Sequence, residues 1–284
     1  MASKALVLIA AGVVVAAAGC AAFYLMSDDG PDADYTLMDS NDNIKKGLTV
    51  EIKFVNDDQD YYSYDKSVVD SVADGKVTYS YKSETTFESD DFFELAEFAP
   101  SGYLIDFDYT AASGYPEGVT VSKDGNVYTI NGTQTLNSLI GTQKTTYNSV
   151  KITYDGAVKA VSGKATVDFT GSDSSFITKY DVETDGNKLD VKYDHKGNGT
   201  ETVLIADFYD SVLTDYDPVM LTGLSVETSE KEIGGVNATV YHGTGTLDGK
   251  KADATFYVYK GFILKYNSCL GDDEGSMKTL IYMA

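Results

Sequence analysis

Residues 49–54 alternate strictly: Val50, Ile52 and Phe54 fall on one side of an extended chain, and Thr49, Glu51 and Lys53 on the other. A period of two is the signature of a strand with one apolar and one wet face. The alternation recurs at Val77, Tyr79 and Tyr81, at Ile105, Phe107 and Tyr109, at Val150, Ile152 and Tyr154, and at Leu189, Val191 and Tyr193. It returns at Phe256 and Val258 and at Leu280 and Tyr282. Clusters of Gly, Asp and Asn separate these runs, the pattern of short antiparallel strands joined by tight turns. The chain therefore reads as mainly β, an α+β protein in which sheet dominates.

Compared with itself at an offset of about 111 residues, the chain repeats its order of elements. Gly47–Ile52 faces Gly163–Phe169, and Asp74–Tyr81 matches Asp185–Tyr193. Gly125–Leu136 matches Val236–Leu247, and Tyr154-Asp155-Gly156 faces Tyr259-Lys260-Gly261, each a hairpin turn in which Gly supplies positive φ. Each copy also holds a short amphipathic helix. Ser89 caps a turn carrying Phe92, Leu95, Ala96 and Ala99 before Pro100, while Ile205, Phe208, Tyr209 and Val212 show three-and-four spacing before Pro218. These signals predict two tandem antiparallel β-rich repeats, 47–162 and 163–284, each with one short helix. The copies either close separately or merge into one half-barrel with both helices on its concave side. In element order the merged form resembles the lipoprotein carrier fold, in which a curved sheet and helical lid enclose a lipid chain. That resemblance implies an apolar groove lined by Phe92, Leu95, Ile205, Phe208 and Val212.

Ahead of the repeats, Ala5–Met26 is a run of 22 residues without a charge, preceded by Lys4 and followed by Asp28 and Asp29. At 1.5 Å per residue it reaches about 33 Å as a helix, enough to cross a bilayer core. The flanking charges predict a signal-anchor helix over 1–27, its N-terminus inside and the rest of the chain outside. Ala17-Ala18-Gly19-Cys20 offers a second reading as the end of a lipoprotein signal with an acylated Cys20, and a third is ordinary signal cleavage and secretion. All three place the body beyond the cytoplasm. Residues 28–46 are polar and acidic and read as a tether. Asp39, Asn41 and Asn43 have the spacing that opens a calcium loop, but Ile44 and Val50 occupy positions that need Gly and a carboxylate. With Cys20 in the apolar run, Cys269 has no disulfide partner. Asn131, Asn198 and Asn237 each begin a glycosylation acceptor triplet.

Chemistry is sparse. The 44 acidic residues face 22 basic ones, all lysine, for a net charge of −22. That charge and the absence of arginine's forked donor argue against nucleic acid. Only His195 and His242 are present, with no Gly-x-Ser-x-Gly elbow, Walker loop or dinucleotide fingerprint, so no metal, cofactor or catalytic residue is assigned. Tyrosine is the abundant aromatic, 22 against 12 Phe. It suits strands whose edges are wet. The expected function is a single-pass, cell-membrane protein with a non-enzymatic binding or structural ectodomain at the cell surface, its partner a lipid or a surface protein. The alternatives are a carrier or chaperone for a hydrophobic ligand and, behind it, a surface hydrolase.

Overall fold

The computed structural model describes residues 32–56, 60–89, 95–102, 104–185 and 188–284. Fourteen strands form one antiparallel sheet. In chain order they are β1 (Leu48–Asn56), β2 (Tyr61–Ala73), β3 (Lys76–Ser89), β4 (Val119–Asp124), β5 (Val127–Asn137), β6 (Gly141–Tyr154) and β7 (Val158–Gly171). The remainder are β8 (Ser174–Asp185), β9 (Lys188–Leu204), β10 (Ser225–Ile233), β11 (Val236–Leu247), β12 (Lys250–Tyr259), β13 (Phe262–Leu270) and β14 (Asp273–Met283). The one described α-helix, α1 (Phe208–Val212), is a single turn following the 3-10 turn Ile205–Asp207. Other 3-10 turns lie at Tyr35–Asp39, Asn41–Asn43, Leu95–Phe98 and Pro218–Leu221.

Turn chemistry fixes the hairpins. Asp74 and Gly75 (φ 52° and 72°) join β2 to β3, and Lys260 and Gly261 (φ 52° and 90°) join β12 to β13. Paired positive φ angles give a turn whose twist matches that of the strands it joins. Among the described residues, β1–β3 precede the turn Leu95–Phe98 and β4–β6, and β7–β9 precede the helical turns from Ile205 to Leu221 and β10–β14; the sequence predicts a repeat of that order.

Packing does not follow that repeat. Across the sheet the order is β10-β11-β12-β13-β14-β1-β2-β3-β9-β8-β7-β6-β5-β4. Among the described residues, one compact unit holds those up to Lys82 together with Thr200–Ala284, and the other those of Ser83–Gly199. The units are thus nested in the sequence, not tandem. The predicted boundary at 162/163 falls inside β7, which runs through it unbroken. Gly163 has another reason to be glycine: at φ 125° a Cβ there would lie 2.6 Å from the Ser149 carbonyl oxygen. β6 bulges at that point, its register against β7 shifting between Asn148 and Lys151.

In the first unit Leu48, Val50, Val69, Val77, Tyr79 and Ile281 pack with Phe208, Tyr209 and Val212. Tyr35, Met38 and Ile44 join the same core. Of the tether expected over 28–46, the part from Asp34 is bound to the body, the Asp34 N–H donating to the Ile281 carbonyl (2.8 Å), and residues 28–31 lie outside the described residues. Tyr35 is the reason, its ring buried and its hydroxyl donating to the Thr279 carbonyl at 2.6 Å. A second cluster gathers Phe256, Val258, Ile263, Tyr266, Met277 and Leu221.

In the second unit the buried residues include Tyr128, Ile130, Tyr147, Val150, Ile152, Val182 and Val191. The segment 104–110, predicted as a strand, is instead a loop with Ile105 and Tyr109 fully buried. Asp108 breaks the extension by accepting from both the N–H (2.8 Å) and hydroxyl (2.6 Å) of Thr110. Tyr109 donates to the Phe98 carbonyl at 2.9 Å and meets Tyr128 edge-on at 5.5 Å.

Among the described residues no helix is long and apolar enough to cross a membrane. The anchor predicted over 5–26, with Cys20, lies outside the described residues, and so does Phe92.

Candidate functional site

Three of the five residues assigned to an apolar groove come together. Phe208 is wholly buried and Val212 nearly so, with Ile205 packed against the same cluster. The Phe208 ring meets Tyr79 edge-on at 5.6 Å and Tyr209 at 5.3 Å. Tyr209 donates to the Leu37 carbonyl at 2.9 Å, and Tyr79 donates to the Glu201 carboxylate. Burial pushes the Tyr79 hydroxyl well above its ordinary range, and the Glu201 hydrogen bond adds to the shift. A one-turn helix cannot hold itself together, so these aromatic contacts hold α1 against the sheet. The site is a filled core. Leu95 belongs to the other unit, half-buried on the turn whose Phe98 is buried.

The densest chemistry lies on the opposite face of β14-β1-β2 from Val50 and Ile52. Register places Glu51 opposite Lys66 on β2 and Thr49 opposite Tyr282 on β14. Glu51 Oε1 accepts from Lys66 Nζ at 2.7 Å and from the Tyr282 hydroxyl at 2.6 Å. Lys66 Nζ also lies 3.3 Å from the Tyr282 oxygen and 5.9 Å from its ring centre. Partial burial pushes the Glu51 carboxyl up, but Lys66, Tyr282 and Tyr64 together outweigh it and hold the group below its usual range. The same hydrogen bond raises Lys66, and burial with the Glu51 charge beside it lifts Tyr64 to about 12. Glu51 thus stays anionic and Lys66 cationic through neutral pH. The pair bridges β1, β2 and β14 as a cross-strand clasp.

The alternating runs read from the sequence include none over Tyr61–Ala73, so the clasp was missed, whereas β2 begins at Tyr61. The buried Tyr61 ring meets Phe54 edge-on at 5.3 Å. The visible signal was Tyr62, Tyr64 and Lys66 at spacing two, opposite the half-buried polar side of Glu51 and Lys53.

Both histidines sit within strands. His195 on β9 pairs through Nδ1 with the Thr178 hydroxyl at 2.8 Å, and His242 on β11 through Nε2 with Asp253 at 3.1 Å. They belong to different units. Among the described residues no group of three or more His, Cys, Asp or Glu is placed to hold a metal ion. Asp273, the first residue of β14, is paired with Lys250 at 3.7 Å. Asn198 and Asn237 are exposed. Asn131 is half-buried, its Oδ1 accepting the Ser149 N–H at 2.8 Å beside the bulge.

No protein-family model, curated protein or solved structure matches this chain.

Proposed function

We propose that the protein is a single-pass, membrane-anchored protein of the cell surface, whose β-rich body is a non-enzymatic ectodomain for binding or surface structure. One observation carries the reading: the uncharged run Ala5–Met26 with Lys4 before it and Asp28 and Asp29 after it. The fold adds a constraint. Since the body begins at Asp34, only Ser27–Ala33 separate it from the anchor, a span of at most about 25 Å when fully extended. With an uncut helix the ectodomain is held close to the bilayer, and with an acylated Cys20 the spacer lengthens to residues 21–33, at most about 45 Å. Its finer organisation is one element order used twice, the second copy opening with β7 rather than at residue 163.

Support for a non-enzymatic body comes from the commitments of its ionisable side chains. Glu51 and Lys66 hold each other, and His242 holds Asp253. The filled surroundings of Phe208 weigh against a hydrophobic-ligand carrier. A net charge of −22 without arginine makes a surface protein or a lipid a better partner than nucleic acid. Alkaline carbonate extraction of membranes from cells producing the full chain tests the anchor. The chain is expected in the pellet, and a variant lacking residues 1–31 in the soluble fraction. Release of the full chain by carbonate overturns the reading.

A further inference from the structure

The hairpin between β5 and β6 ends in Ser138, Leu139 and Ile140. Leu139 is 107% exposed and Ile140 75%, with Leu136 behind them at 43%. A turn this apolar is unusual, because turns are normally built from Gly, Asn, Asp, Ser and Pro. It is also ordered. The Ser138 N–H and hydroxyl both donate to the Gly141 carbonyl, at 2.9 and 3.0 Å, and the Ile140 N–H donates to the Ser138 hydroxyl at 3.3 Å. The turn's own hydrogen bonds therefore hold the two aliphatic side chains in water. Its base rests on the next hairpin, where Phe169 stacks on Phe176 at 5.2 Å. A Cβ on Gly141 would lie 2.7 Å from the Phe169 ring, so the glycine leaves room for that support.

The charge pattern singles out the same segment. Gly125–Gln143 is 19 residues without a charged side chain in a protein of net charge −22, and only the run beginning at Ala5 is longer. A charged partner has nothing to pair with there. A rigid protein partner needs about 20–30 residues a side, far more than one turn presents. A lipid surface needs only side chains that leave water, with a polar remainder that stays in the headgroups.

We propose that Leu139 and Ile140 insert shallowly into a zwitterionic lipid surface, giving the β-rich body a second membrane contact. The protein's net charge disfavours an anionic bilayer, and Asp173 in the adjacent turn stays at the headgroup level. The inference rests on the anchored reading only for the source of the lipid, and the short tether supplies a high local concentration of it.

The chain has no tryptophan, so Leu139→Trp in the full-length protein creates a single reporter. Ala157→Trp, in the turn at the other end of β6, is the control. In phosphatidylcholine vesicles the Leu139→Trp emission shifts to the blue and is quenched by brominated phosphatidylcholine, while Ala157→Trp stays solvent-like and unquenched. Adding Ile140→Asp to Leu139→Trp lowers the quenched fraction about tenfold or more. Solvent-like, unquenched emission from Leu139→Trp overturns the proposal. So does a blue shift that grows with protein concentration without lipid quenching, which identifies a second copy of the chain as the occupant. Flotation of the same samples separates the two readings. A chain that floats unquenched keeps its anchor and loses the tip contact, whereas one quenched at high lipid without floating keeps the tip contact and loses the anchor.

Discussion

Replacing Phe208 with alanine distinguishes a filled core from a ligand groove. The ring exposes none of its surface and sits edge-on to Tyr79 and Tyr209 at 5.6 and 5.3 Å. Truncating a fully buried phenylalanine costs about 3–5 kcal/mol, the transfer of the ring plus the cavity it leaves. The upper half of that range applies here. The two edge-on pairs add to simple burial, and the single-turn α1 has no intrinsic stability with which to hold its place. For a protein of this size each kcal/mol lowers Tm by about 2–4 °C, so Phe208→Ala is expected to unfold about 10–20 °C below the parent. Thermal unfolding followed by far-ultraviolet circular dichroism reads the shift, and urea titration with an unchanged m-value shows that stability, not compactness, has altered. Ile205→Ala, at a half-buried position on the same face, is expected to cost less than half as much. A Phe208→Ala protein with unchanged Tm that has lost a co-purified lipid would refute the packed core and restore the carrier.

Three further outcomes follow from the polar structure. Glu51→Gln is expected to cost about 1–2 kcal/mol at pH 7, at the modest end for charge-assisted bonds because Lys66 is a third exposed. Glu51 titrates below its ordinary value of 4.5 when folded, so its contribution is present above about that pH and fades as pH falls through the folded value. The difference between variant and parent in urea midpoint should close on acidification, and an unchanged difference at pH 3 contradicts the clasp. Burial raises Tyr64 to about 12 and Tyr79, Tyr109, Tyr147 and Tyr266 further, so these groups stabilise the fold fully below pH 10 and cease to as pH rises through their folded values. Absorbance at 295 nm should show exposed tyrosines ionising near pH 10 and a second class ionising together with loss of the β signal. One smooth titration of all 22 with the fold intact would contradict that burial. Asn131→Ala removes the acceptor for the Ser149 N–H at the β6 bulge and should lower stability by about 1 kcal/mol, read as a shift in urea midpoint without a change in m.

What the sequence revealed was local. Alternation at Val50, Ile52 and Phe54 located β1, and the glycines after Asp155 and Lys260 located two hairpins, because strand period and turn chemistry act within a few residues. Ile105, Phe107 and Tyr109 show the limit of alternation. The same spacing buries Ile105 and Tyr109 from a loop, once Asp108 closes a turn on Thr110. Tyr35 and Met38, three apart in an acidic stretch, were a real core signal outweighed by the surrounding aspartates. The order of strands was not legible. Placing β3 beside β9 and β14 beside β1 depends on which apolar faces meet across the chain, and alternation is blind to that choice. The Glu51–Lys66 clasp was hidden for the same reason, since it exists only in one register of β1 on β2. The uncharged run Gly125–Gln143 is plain in the sequence, but its role depends on Ser138 closing the turn that leaves Leu139 and Ile140 in water.

Proteolysis of intact cells producing the full chain tests the central claim most directly. A protease added outside should remove the β-rich body while a tag at the N-terminus stays protected until the membrane is permeabilised. A body that resists the external protease in intact cells and is cleaved only after permeabilisation would place it on the inner side and contradict the account.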